Sequence, residues 1–205
     1  MSKFLFLFFS FLFISCAGPQ KTTADELWPD GSWVNLDNEN IKFKKPHRLK
    51  KSSRYRLKED MPIVSRDTAQ LRSLQNTLAE LEFEDAEIDV FVDTTTYFRV
   101  VIICNTERIE INEKATASLK NALEMKYQSM MHKNTTTEVG PTEASFSRAN
   151  NLALAKFKTE IKYTDTGGRI FETNQLLTAP NFTLVVWEFS DYRADLSKYL
   201  WSVKI

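Results

Sequence analysis

"ALAKFKTEIKYTDTGGRIFETNQLLTAPNFTLVVWEFS", residues 153–190, decides the fold. Phe157, Thr159, Ile161 and Tyr163 alternate with Lys156, Lys158, Glu160 and Lys162. That two-residue period belongs to a strand with one face turned inward. "DTGG" (165–168) turns the chain, because its paired glycines accept positive φ. "RIFETNQLLT" (169–178) returns, and "NFTLVVWEFS" (181–190) pairs next to it. Three strands joined by short turns form an antiparallel meander.

Upstream, the same reasoning supplies more strands and two helices. "YFRVVIIC" (97–104) is apolar without alternation, so it reads as a central strand buried on both faces, and "RIEIN" (108–112) continues or follows it. "AEIDVFVD" (86–93) is a strand with Ile88, Val90 and Val92 inward. "ENIKFKK" (39–45) is a half-buried strand carrying Ile41 and Phe43, and "SRYRLK" (53–58) reads as another, with Tyr55 and Leu57 on one side. In "SRDTAQLRSLQNTLAELE" (65–82), Leu71, Leu74, Leu78 and Leu81 make one helical stripe behind Ser65 or Asp67 as N-cap. A second helix spans Glu113 to Met131, capped by Asn112, with Ala115, Leu119, Ala122, Leu123 and Tyr127 inward. "HKNTTTEVGPTEAS" (132–145) reads as a loop, and "DYRADLSKYLWSVKI" (191–205) as a closing helix with Leu196 and Leu200 inward. The order implies an α+β domain, a mainly antiparallel sheet covered by helices.

A family resemblance rests on the two ends of that domain. The early strand places Ile41, Phe43 and Pro46 in an apolar-x-apolar-x-x-Pro pattern, and the chain closes on Ser202, Val203 and Lys204 after a helix. With the final meander, these resemble the PsbP-like α/β/α sandwich. "PHRLKK" stands where that family commonly has a Trp after the proline. The resemblance implies an assembly or binding role and brings no catalytic residues with it.

The first residues set an expected address. Lys3 precedes an eleven-residue hydrophobic run, Phe4–Ile14, broken only by Ser10. A bilayer crossing takes about twenty residues, so the run suits a signal peptide. "FISCAG" (13–18) resembles a bacterial lipobox, with Phe13 in place of the usual Leu. That resemblance implies cleavage after residue 15 and acyl chains on Cys16, which would hold the protein on the membrane. The ordinary alternative is a secretory signal that happens to contain a cysteine. Ala17 follows Cys16 instead of Asp, and no acidic cluster comes next, which favours an outer membrane and its periplasmic face. Residues 16–36 then read as a tether and 37–205 as a single domain. Trp28 and Trp33 flank a Pro-Asp-Gly turn and pin the tether to the domain or to the membrane interface.

Charge is balanced overall, at 27 basic and 27 acidic side chains, so nucleic acid is not an expected partner. Charge is nevertheless segregated. "KFKKPHRLKKSSRYRLK" (42–58) has nine Lys or Arg and no acid, while "ELEFEDAEIDVFVD" (80–93) has seven acids and no base. The two runs either compensate each other as neighbours or form solvated faces. Otherwise the basic run meets anionic lipid or an acidic protein partner, with Lys50, Lys51, Arg54, Tyr55 and Arg56 as the contact surface. Asp85, Glu87, Asp89 and Asp93 alternate along a strand and lack the compact loop that calcium prefers.

Recognisable catalytic motifs are absent: no nucleophile elbow, no His-Glu-x-x-His, no phosphate loop, no Cys-x-x-Cys. His47 lies in the basic run, which does not prepare it as a base. Met125, Met130, Met131 and His132 cluster in "MKYQSMMH" (125–132), a soft donor set for copper(I), though methionine is more often core filler. Cys104 reads as a small buried hydrophobe. No catalytic residue, metal ligand or cofactor follows. The expected function is a non-enzymatic, lipid-anchored binding or assembly factor of the envelope, and the alternative is an envelope hydrolase or small-ligand-binding protein. A deep cleft holding polar groups with displaced ionisations would favour the alternative, and a shallow charged patch would favour docking.

Overall fold

A computed structural model describes residues 30–36, 41–61, 70–83, 87–95 and 97–204. The lipobox, Cys16, Trp28, Asp85 and both candidate caps of the first long helix lie outside them. The elements in chain order are β1 (Gly31–Asn35), β2 (Lys42–Pro46), β3 (Leu49–Ser52), α1 (Leu57–Asp60), α2 (Gln70–Phe83), β4 (Ile88–Asp93) and β5 (Arg99–Glu107). Then come α3 (Glu113–Lys133), β6 (Thr137–Val139), β7 (Glu143–Ala149), β8 (Leu152–Tyr163), β9 (Gly168–Thr178), β10 (Phe182–Ser190) and α4 (Ser197–Leu200).

The meander forms as the alternation implies. Its three strands lie side by side and extend into one antiparallel sheet of order β3-β4-β5-β10-β9-β8, with β6 and β7 sharing the far side of β8. Gly167, at φ 67°, supplies the turn between β8 and β9. β5 is interior, and Val100, Val101, Ile102 and Ile103 are all buried, two on each face. The α+β class with a mainly antiparallel sheet is therefore observed.

The sheet's two faces are covered differently. Against one lie α2 and α3. Leu71, Leu74 and Leu81 of α2 and Tyr127 of α3 pack with Val90, Val92, Val100, Ile102, Ile161 and Phe189 of the sheet. Leu119 and Leu123 are only partly buried, and Ala122 is exposed. Asn112 caps α3 as expected, its side chain accepting the Ala115 N–H at 2.9 Å. The other face carries the β1–β2 hairpin and the short α4. Phe43 meets Phe91 edge-on at 6.2 Å, and Leu196, Tyr199 and Leu200 close the layer. A fully buried Phe contributes about 1.5–3 kcal/mol, enough to hold a two-stranded ribbon that is marginal alone.

Four local expectations are corrected. "SRYRLK" is not a strand: residues 54–56 turn, α1 begins at Leu57, and Tyr55 is 84 % exposed. The strand falls earlier, on Leu49–Ser52, where Leu49 alone is buried and no apolar period marks it. "RIEIN" leaves the sheet, although Ile111 is buried. The segment 134–145 is not a loop but holds β6 and the start of β7. β7 turns into β8 through Asn150 and Asn151, both at positive φ, the two-residue hairpin geometry that asparagine tolerates. Finally, residues 191–196 are not helical, because the Glu188 carboxylate accepts the Leu196 N–H at 3.0 Å and holds that segment until Ser197. β1 also occupies residues assigned above to the tether. Among the described residues no helix is long and apolar enough to cross a membrane.

Candidate functional site

β9 carries four successive polar residues, Glu172, Thr173, Asn174 and Gln175, and all four are buried. Strand alternation sends Glu172 and Asn174 under the helices, in line with buried Ile170. Here α2 and α3 stand apart, and a cleft of about 950 Å³ opens between them with Glu172 and Tyr127 at its base. Its walls include Thr77 and Ala79 of α2, Met130 of α3, and Tyr163 of β8. At the mouth, Lys126 Nζ reaches across to Glu80 at 3.0 Å and ties the two helices together.

The base of the cleft is a small hydrogen-bonded network. Asn174 Nδ2 donates to Glu172 Oε1 at 3.1 Å and lies 3.4 Å from the Tyr127 hydroxyl. Glu172 and Thr159 also lie close enough to Tyr127 to act on its phenol, and Thr159 shares a 3.0 Å hydrogen bond with Thr142. Burial pushes the Glu172 carboxyl above its usual value, against the hydrogen bonds from Asn174 and Tyr127 and the Lys126 charge, which pull it down. Burial, then the neighbouring Glu172 charge, push the Tyr127 phenol well above its own. The Thr137 hydroxyl, also lining the cleft, is buried with no hydrogen-bond partner among the described residues.

Glu172 differs from the other buried acids. Glu188 meets Arg99 at 2.6 Å, Asp89 meets Lys51 at 2.5 Å, and Asp93 lies 3.5 Å from Arg48. Among the described residues, only neutral donors touch Glu172; Lys126 acts on it from a distance while bound to Glu80. The polar run Glu172–Gln175, set between the apolar pairs Ile170–Phe171 and Leu176–Leu177, was the available signal in the sequence, and periodicity alone passed over it.

The residues singled out from sequence are dispersed. The basic and acidic runs are partly neighbours, because β3 pairs with β4 and brings Lys51 to Asp89 and Arg48 towards Asp93. Lys45 is buried and its ammonium donates to the Leu49 carbonyl; burial, then Lys50, lower its proton affinity. Arg56, just before α1, pairs with Asp60 at its end at 3.3 Å, while Lys50 and Tyr55 are exposed and Arg54 is half-buried. Trp33 belongs to the domain, with Lys42, Lys44 and Lys204 ammonium groups 5.9, 5.8 and 4.6 Å from its ring. Met130 faces the core while Met125 is 64 % exposed, and His47 and His132 are exposed. Cys104, expected to be a buried hydrophobe, is only half-buried on β5, and its thiol donates to the Asn105 carbonyl at 3.4 Å.

No protein-family model matches the chain, and no curated protein matches it.

Proposed function

We propose that this is a lipid-anchored envelope protein that works by binding, with the α2–α3 cleft as the seat of a small ligand. The observation that carries the binding role is the base of the cleft, where Glu172 is buried among neutral donors yet faces an opening large enough for a drug-sized molecule. Buried acids are ordinarily paired, so a cleft that ends on one is arranged for a partner from outside. Among its described lining residues there is no histidine or cysteine, and Glu172 and Tyr127 share the Asn174 side-chain amide as donor. That arrangement suits recognition better than a hydrolytic acid–base pair.

The anchor follows from the lipobox-like "FISCAG", with acyl chains on Cys16 and a place on the outer membrane facing the periplasm. Kinship with the PsbP-like sandwich is supported by contact between its two end motifs. Lys42 and Lys204 exchange backbone hydrogen bonds at 2.9 and 2.8 Å, and Ser202 Oγ accepts the Lys44 N–H at 2.6 Å. A second contact, with an acidic protein or anionic lipid, is favoured at Lys50, Arg54, Tyr55 and Arg56 by the 84 % exposure of Tyr55.

The test is purification of the full chain from its own envelope, with Cys16→Ala beside it. Intact-mass analysis reads acylation, and native mass spectrometry reads a retained small molecule. The variant is expected in the soluble fraction, with the ligand still bound. A wild-type protein that is unacylated, or that never retains a ligand in the cleft, overturns the corresponding half of the proposal.

A further inference from the structure

The chemistry of the cleft narrows its ligand. Every other buried acid named above has a lysine or arginine within 3.5 Å, whereas the contacts of Glu172 are an amide and a phenol. A carboxylate out of water is stabilised most strongly by a cation with hydrogens to donate. The cations of the neighbouring elements do not pair with it: Lys126 of α3 is held at the mouth by Glu80 of α2, and Lys133, which lines the cleft from the last turn of α3, makes no ion pair with Glu172. Calcium takes six to eight oxygen ligands, and the cleft's second carboxylate, Glu80, is already paired with Lys126. Among the described residues, no group of three His, Cys, Asp or Glu is placed to hold a metal. Tyr127 and Tyr163 add aromatic surface, which attracts organic cations.

We propose that the α2–α3 cleft selects an organic amine, whose ammonium group pairs with Glu172 while its apolar part lies along Met130, Tyr127 and Tyr163. This rests on the ligand-binding reading above and makes it specific. The amine supplies the positive charge that the protein gives its other buried acids. Its binding favours the ionised carboxylate, so affinity falls as the pH drops through the raised pKa of Glu172. Lys126 opposes that displacement and Glu80 reinforces it, and both stay in place at the mouth.

Three probes of one shape and different charge test it: benzylamine, benzyl alcohol and benzoate, titrated by calorimetry into the full-length protein. Benzylamine is expected to bind at least tenfold tighter than the alcohol, and benzoate weakest. Glu172→Gln is expected to remove the preference for the amine while the protein stays folded by circular dichroism. Ala79→Trp, at an exposed position on the cleft wall, should block all binding without touching Glu172. Equal binding of amine and alcohol, unchanged in Glu172→Gln, overturns the amine while leaving the cleft as a ligand site. An amine preference that survives Glu172→Gln also overturns it. Absence of benzylamine binding overturns it as well; in that case a molecule retained from the envelope, if it is not an amine, keeps the broader reading alive.

Discussion

Replacing Arg99 by Met should be among the most damaging single changes in this protein. Arg99 enters β5 at 5 % exposure, and its guanidinium grips Glu188 Oε1 through Nε at 2.8 Å and through a terminal nitrogen at 2.6 Å. Burial works against the Arg99 charge, but Glu188 and then Tyr192 outweigh it and hold its pKa above the usual value. Glu188 is fully buried, and its other oxygen accepts the Leu196 N–H, which fastens the C-terminal segment across the sheet. Arg99→Met leaves that carboxylate buried without its cation, a loss of about 3–5 kcal/mol. For a domain of this size the melting temperature should fall by about 10 °C. Urea unfolding at pH 7 measures the loss, and amide exchange at Leu196 reports whether the segment has loosened. Adding Glu188→Gln removes the stranded charge but keeps an acceptor for Leu196, so the double variant should recover more than half of the loss. The deficit of the single variant should also shrink on acidification. A carboxyl buried without its cation is penalised only while charged, so acid relieves the loss. A single variant within about 1 kcal/mol of wild type would refute the reasoning, since it would mean the site is wet or the pair dispensable.

Other outcomes follow from the same kind of accounting. Asp195 is pulled upward by burial, but hydrogen bonds from Lys158, Ser197 and Lys156 outweigh this and hold it well below the usual carboxylate range. Asp195→Asn should therefore cost about 1 kcal/mol at pH 7, allowing for its partial exposure. The difference should shrink progressively as the pH falls from the unfolded value near ~3.9 through the depressed folded one, because a depressed pKa contributes its full stability only above the unfolded value. Lys51→Glu should destabilise by about 1 kcal/mol by facing Asp89 with a like charge, and a second change, Asp89→Lys, should restore part of it in a urea titration. Glu172→Gln should raise stability at neutral pH without ligand. Wild-type stability should fall as the pH rises from the unfolded value near ~4.3 through the raised folded pKa, while the variant stays flat.

The elements legible from sequence were those whose side chains repeat with a structural period. The β8–β10 meander, the doubly buried β5, the leucine stripe of α2 and the Asn112 cap of α3 all followed from local pattern. Elements without a period were missed or misplaced. β3 is four residues with one buried apolar side chain, so the brighter pattern of Tyr55 and Leu57 drew the strand too far along. β7 is an exposed edge strand whose one strong signal is the Asn150–Asn151 turn after it. The segregated charges carried fold information. The basic run supplies β3 and the acidic run β4, and adjacent antiparallel strands place Lys51 beside Asp89.

The candidate site was hidden for a related reason. In β9 the period does not fail outright; Ile170, Glu172, Asn174 and Leu176 still share one face. What changes is the chemistry placed on it, and a pattern search that scores apolar against polar reads such a stretch as a weak strand. Four buried polar residues in a row inside an interior strand are costly unless each finds partners. On the face away from the helices the fully buried Gln175 amide has none among the described residues. On the helix face Glu172 and Asn174 partner each other and Tyr127, and an open cleft leads to them. Local rules that hold along the rest of the meander and give way at one place mark that place as functional more often than as defective. By that criterion Glu172 is the position on which the binding reading stands.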